Sequence, residues 1–223
     1  MTHPGDHHRS ARGHSATLND DRLAAALEAD GELAAGLTDQ AIALCTDLLD
    51  LDSTEVRRVV DVGCGPGVAT SSLAEAVGSA MVVAVDRSPV MLARTADREA
   101  RHGVSARVEP RSLDLNSDLH ALGAFDLVWA ALALHHADDE PAAMRSFGML
   151  VRPQGLLCLI ERADPIVVRF ARDLGRPDIW DRIRSAQSEW FEHARPALLG
   201  TTNVASYADI SSNPASNSLR ARP

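Results

Sequence analysis

The stretch Val59-Val60-Asp61-Val62-Gly63-Cys64-Gly65-Pro66-Gly67 constrains this chain more than any other. Its short apolar run predicts a strand buried on both faces, and three glycines at alternate positions predict a turn too tight for side chains. A second apolar run, Met81 to Val85, ends on the carboxylate of Asp86, 19 residues after Gly67. A buried strand, a glycine turn opening a helix, and a second strand delivering an acid together describe a nucleotide-type cofactor site in an α/β fold.

The surrounding pattern agrees. Apolar runs predict strands over 58–62, 81–85, 106–109, 125–130 and 156–161, and helical periodicity fills 68–77, 89–101 and 139–150 between them. This alternation requires parallel strands joined by helical crossovers, hence a doubly wound, mostly parallel sheet over residues 55–162. Upstream, residues 1–17 read as a disordered tail whose His3, His7, His8 and His14 are solvated. Two helices are expected within 18–54. The first starts at Asn19 or Asp20 and carries Leu23, Ala26, Leu27 and Leu33 at helical intervals. The second runs from Thr38, with Thr38 or Asp39 as its cap, through Ile42, Leu44, Cys45, Leu48 and Leu49.

The glycine spacing narrows the cofactor. In Gly63-x-Gly65-x-Gly67 the third glycine follows the second by two residues, whereas the dinucleotide fingerprint places it three residues on. Here that position is Val68, whose branched side chain opposes the close helix–strand approach that a glycine permits. No Gly-Lys-Ser/Thr follows, so the loop is not a phosphate-gripping P-loop either. Asp61 just before the turn would repel a pyrophosphate but suits a cationic amine, directly or through water. Asp86 at the strand end can accept both hydroxyls of a ribose, with Ser88 the better-placed cap for the following helix.

These residues resemble motif I of the class I S-adenosylmethionine (SAM) dependent methyltransferases, in which an acidic residue precedes Gly-x-Gly-x-Gly. The likeness continues through Val82–Leu92, similar to the family's second strand, and Arg111–Leu115, similar to the segment after strand 3. It extends to Phe125–His136, similar to strand 4 and its loop, and to Leu150–Leu156, similar to the turn into strand 5. The resemblance implies a Rossmann-like fold, SAM as cofactor, and transfer of a methyl group to a small-molecule acceptor. It assigns Asp61, Gly63, Cys64, Gly65, Gly67, Asp86, Arg87, Asp114, Leu115 and Ala130 to the cofactor site. Asp86 is expected on the ribose, Asp114 on the adenine amine, and Cys64 through its backbone and small size. Asp126, at the start of its strand, reads as structural.

The acceptor side is less constrained, because an activated methyl asks mainly for alignment and needs a base only when the acceptor must lose a proton. No catalytic residue is assigned; His135 and His136, following strand 4, are the substrate-side candidates. The loop lacks the Asn/Asp-Pro-Pro-aromatic element of DNA-amine methyltransferases, and no carboxylate cluster indicates a metal. Residues 163–210 are expected to form a helical cap bearing Ile179, Ile183, Ala186 and Trp190 on one face, with Trp180 and Phe191 nearby. The polar stretch 211–223 reads as a second disordered tail, so the family's strands 6 and 7 are not expected in this sequence. That shortening leaves a second reading, a SAM-binding or vestigial protein without turnover.

Charge and cysteine content complete the expectations. With Lys+Arg 22 against Asp+Glu 31 the net charge is −9, which disfavours a nucleic-acid partner. No apolar run approaches the roughly 18 residues of a membrane span, and the N-terminus has no signal-type segment. The three cysteines are scattered and odd in number, which argues against a metal centre and for a reducing, cytoplasmic location.

Overall fold

A computed structural model of the chain describes residues 7–49, 58–117 and 119–161, together with Ser185. Five strands, β1 (Arg58–Val62), β2 (Met81–Asp86), β3 (Val108–Ser112), β4 (Phe125–Ala131) and β5 (Val151–Ile160), form one parallel sheet in the order β3-β2-β1-β4-β5. Helices α3 (Val68–Ala76), α4 (Pro89–His102) and α5 (Glu140–Met149) make the crossovers, and α1 (His7–Leu33) and α2 (Ala35–Leu49) precede the sheet. The doubly wound expectation is met. Expectations for strands 6 and 7, the helical cap over 163–210 and the tail over 211–223 lie outside the described residues.

The strands are near-continuous apolar runs because both sheet faces are covered. Val59, Val82, Ala84, Leu127 and Trp129 pack under Ile42, Cys45 and Leu49 of α2 and Leu73, Ala74 and Val77 of the α3 region. The alternate residues Val60, Val62, Val83, Val85, Val128 and Ala130 pack against Ala143, Met144 and Phe147 of α5. Period-two alternation along each strand thus distributes one apolar sequence between two cores. Local signals end the helices as expected. Ser88 caps α4 by accepting from the Met91 amide, Pro89 follows it, and Gly103 closes the helix in the left-handed region; Asp139 caps α5 through the Ala142 amide at 2.9 Å.

Several expected boundaries move. α1 is described from His7, ahead of the start expected at Asn19 or Asp20. Extending an existing helix costs far less than nucleating one. Neither Thr38 nor Asp39 caps α2. That helix starts at Ala35, because the chain turns at Ala34, whose carbonyl accepts from the Leu37 and Thr38 amides. β3 begins at Val108 rather than 106, since a 3₁₀ turn occupies Ser105–Arg107.

The leucine stripe of α1 does not face the core: Leu23, Leu27 and Leu33 are exposed while Ala24 is fully buried. Charge and close approach orient the helix instead. Asp21, Glu28 and Glu32 on α1 meet Arg94, Arg98 and Arg101 on α4, with Arg98 bonding Glu28 at 3.2 Å and Glu32 at 2.5 Å. On the same side of α1, a β-carbon at Gly31 would lie 2.9 Å from a Val68 methyl, so the helix rests directly on the start of α3. Arg98 is buried, and its removal leaves Glu32 without its partner and Glu28 with Arg101 alone. Arg98→Ala is therefore expected to cost about 1–3 kcal/mol in urea unfolding and to lower the helical signal as α1 detaches; an unchanged midpoint would show that the leucines, not the charges, seat this helix.

Candidate cofactor and acceptor site

The site forms at the carboxyl edge of the sheet, where β1 and β4 lie side by side and their connections leave in opposite directions. All three glycines of the loop have left-handed backbones, with φ of 75° at Gly63, 53° at Gly65 and 82° at Gly67. Their surroundings differ. A β-carbon at Gly63 would sit 2.5 Å from the Ala133 β-carbon, and one at Gly67 2.9 Å from the Thr95 backbone, whereas at Gly65 nothing lies within 4 Å. Gly63 and Gly67 are close-packing glycines, and Gly65 opens onto empty space where a ligand can approach the backbone.

The loop is fastened through its amides. Gly63 and Cys64 both donate to the Val85 carbonyl, at 2.8 and 2.9 Å, and Gly65 donates to Asp86 Oδ2 at 2.9 Å. Thr95 Oγ1 donates to the Gly65 carbonyl across 2.8 Å, with a second contact to the Met91 carbonyl at 3.0 Å. Asp86 thus has a role the sequence did not show. Its Oδ1 also accepts from the Ser88 amide at 2.8 Å, so the carboxylate ties the glycine turn to the end of β2. Each oxygen keeps a further lone pair for an incoming hydroxyl.

Asp61 is buried on the α3 side of the sheet and accepts from Thr70 Oγ1 at 2.6 Å. Burial pushes its pKa up to about 7, the Thr70 hydrogen bond opposes the shift, and the Asp86 charge adds to it. Cys64 is buried beside them, its thiol pushed up by burial first and by the Asp61 and Asp86 charges after; it is a small residue at a turn, not a nucleophile. Arg87 is exposed and pairs with Asp114 at 3.5 Å. Asp114 Oδ1 accepts from the Asn116 amide and side chain at 2.9 and 3.0 Å; that backbone bond first, and Arg87 after it, hold the carboxyl below its usual range. Leu115 is half-buried beside it, and Ala130 is wholly buried in β4.

Past β4 the chain bends sharply at Leu132, whose φ is 54°, and its amide donates to the Ile160 carbonyl at 2.7 Å. A 3₁₀ turn, Leu134–His136, follows. The sequence reading named its two histidines but missed the residue that organises them. Glu161, at the end of β5, accepts from the Leu134 amide through Oε1 and meets His135 Nδ1 through Oε2, each at 2.8 Å. His136 stacks at a tilt on His135, ring centroids 4.1 Å apart. Crowding by protein atoms, then the His135 charge, lowers the His136 pKa although part of its surface reaches solvent. The Arg87 and Asp86 charges act on His136 as well, in opposite directions. Thr70, Thr95 and Glu161 went unread. For Glu161 the signal was present: an acid ending an apolar strand, as Asp86 does. Asp126 holds the Arg58 amide and the Arg152 guanidinium at 2.9 and 3.0 Å, the structural role expected of it.

Residues 59–155 match the family model of a methyltransferase domain. Those residues belong to the class I SAM-dependent methyltransferases. The cofactor of that family is SAM, and the open space at Gly65, the free lone pairs of Asp86 and the buried carboxyl of Asp61 fit that molecule. Among curated relatives, the methyltransferase GfsG of Streptomyces halstedii is 35% identical over 127 residues, covering 55% of this chain and 42% of that protein. A malonyl-[acyl-carrier protein] O-methyltransferase of Halorhodospira halophila is 39% identical over 103 residues, covering 44% of this chain and 32% of that protein. The matches thus span less than half the length of these relatives. Among solved structures, an O-methyltransferase family protein from Burkholderia thailandensis superposes with a TM-score of 0.56 at 16% identity, covering 82% of this chain and 52% of that one, a likeness of fold. Among the described residues no cluster suited to a metal occurs, and no helix is long and apolar enough to cross a membrane.

Two expectations follow for the methyltransferase domain. A ligand ammonium favours ionised Asp61, so below pH 7 SAM binding must expel the proton that burial keeps there. SAM affinity should therefore rise as pH increases from 6 toward 7 and level off above it, with proton release visible by calorimetry in buffers of different ionisation enthalpy. A flat profile would remove Asp61 from the amine site. Gly63→Ala should lower Tm by more than Gly65→Ala, because only the former drives a methyl into Ala133, while Gly65→Ala should lose SAM binding with the fold retained.

Proposed function

We propose that the chain is a SAM-dependent methyltransferase acting on a hydroxyl of a small molecule, with His135 as the general base. Bound SAM supplies a methyl group on a sulfonium, so transfer to oxygen is a displacement in which the sulfur takes the leaving electron pair. The protein must hold the acceptor in line and receive the hydroxyl proton as the new bond forms. The observation that carries the base assignment is the Glu161–His135 pair. One Glu161 oxygen is fixed by the Leu134 amide, and the other meets Nδ1, so Nδ1 carries the ring proton and Nε2 is left as an acceptor. Glu161 is nearly buried while His135 keeps a third of its side-chain surface exposed, as a base that must reach a substrate requires.

The cofactor residues keep their expected places in this reading, with Asp86 on the ribose, Asp114 on the adenine amine and Asp61 toward the amino-acid end. Relatives named as O-methyltransferases, including a nocamycin enzyme of Saccharothrix syringae (33% identical over 124 residues), support oxygen as the acceptor atom. The acidic chain fits a small acceptor better than a nucleic acid, and a cytoplasmic setting is the natural one for a SAM consumer.

Glu161→Gln should lower kcat by about 10²-fold or more with little change in SAM affinity, and the deficit should shrink with an acceptor whose hydroxyl is already ionised. Equal losses for acidic and ordinary acceptors would reduce Glu161 to a structural residue. Binding of SAM without turnover across a panel of hydroxylated acceptors would favour the vestigial reading.

A further inference from the structure

Thr95 is fully buried in α4, one turn after Met91, and its hydroxyl has two carbonyls in reach. One belongs to Gly65, across the interface with the loop at 2.8 Å; the other belongs to Met91, at 3.0 Å. A hydroxyl carries a single proton. Given to Met91 it adds little, because that carbonyl is already the acceptor of the helix bond from the Thr95 amide. Given to Gly65 it satisfies a carbonyl whose other neighbouring donor is the weak Cys64 thiol, at 3.7 Å. The methyl of the same side chain has a separate task. A β-carbon at Gly67 would lie 2.8 Å from it, so the methyl packs under the end of the turn.

Gly65 is the glycine of the turn that faces open space. Its amide is held by Asp86 Oδ2 at 2.9 Å and its carbonyl by Thr95, so two side chains from different elements grip one residue from both ends. Pro66 fixes φ beyond the Gly65 carbonyl, and the plane of that peptide cannot turn in place by rotation on both sides. The freedom that remains is ψ of Gly65, which has no side chain to restrict it. We infer that Thr95 is a positioning residue for SAM, its hydroxyl holding the Gly65–Pro66 peptide in the orientation that the cofactor meets. The inference rests on the reading of this loop as the SAM cradle. Released from Thr95, the carbonyl can reach water through the open side of Gly65, so the fold loses little. SAM must then reorder the turn as it binds, and that cost lowers affinity.

Four full-length proteins separate the hydroxyl from the methyl: the unsubstituted chain, Thr95→Ser, Thr95→Val and Thr95→Ala. Val keeps the shape without the hydroxyl, Ser keeps the hydroxyl without the methyl, and Ala lacks both. The Kd for SAM is read by calorimetric titration and Tm by melting without ligand. Thr95→Val should raise Kd by about 10-fold over the unsubstituted chain, and Thr95→Ala by a similar factor over Thr95→Ser. Thr95→Ser should bind SAM within about twofold of the unsubstituted chain although its Tm, like that of Thr95→Ala, falls by about 2–4 °C. Affinity thus follows the hydroxyl and Tm the methyl. The Ser and Ala pair carries the comparison if Thr95→Val does not melt cooperatively. A SAM affinity that tracks Tm across the four proteins, or an unchanged Kd in the variants lacking the hydroxyl, would overturn the inference and leave the cofactor reading standing. Failure of the unsubstituted chain to bind SAM would overturn both.

Discussion

The glycine turn keeps its shape because β2 supplies acceptors for its amides. Three successive residues in and around left-handed conformations leave N–H groups that no helix or strand ladder can satisfy, and an unpaired buried amide costs free energy comparable to a lost hydrogen bond. The Val85 carbonyl takes two of them and the Asp86 carboxylate a third. Placement of the crevice, of the start of α3 and of every ligand-facing group follows from that fastening. One carboxylate therefore fastens the loop and, on the proposed reading, would also hold the cofactor, so altering Asp86 would disturb both.

Much of this was legible in the sequence because its causes are local. The bounds of β1 and β2 lie in runs of Val and Ala, and Ser88-Pro89 and Gly103 announce the two ends of α4. The left-handed glycines stood out by spacing alone. What stayed hidden depends on groups brought together from afar. Thr95 reaches the Gly65 carbonyl from a buried turn of α4, and Thr70 reaches Asp61 across the strand–helix interface. Periodicity marks the α1 leucines as one stripe but cannot reveal that the opposite face carries acids matching a basic face on α4, more than 60 residues later.

β5 shows how a backbone irregularity sets distant chemistry. Its pairing with β4 shifts between Val151, opposite Phe125, and Leu156, opposite Leu127. The shift passes through Gln154, with φ of 69°, and Gly155, where a β-carbon would come within 2.9 Å of the Asp126 carbonyl. After it the strand runs in regular register, which puts Cys158 beside Trp129 and carries the chain to Glu161 under the histidine turn. A shift of one residue would turn Cys158 away from α2 and move the acid off His135.

The contact between Gly63 and Ala133 bears on how such a crevice can diversify. At this contact its walls meet backbone to small side chain, with no rotamer to change. The gap between the β1 and β4 loops is consequently a fixed dimension, as insensitive to surface substitution as the spacing of the strands below. Change in what lodges in this crevice must then come from residues other than this contact, and those can be exchanged without resetting the spacing of the two loops.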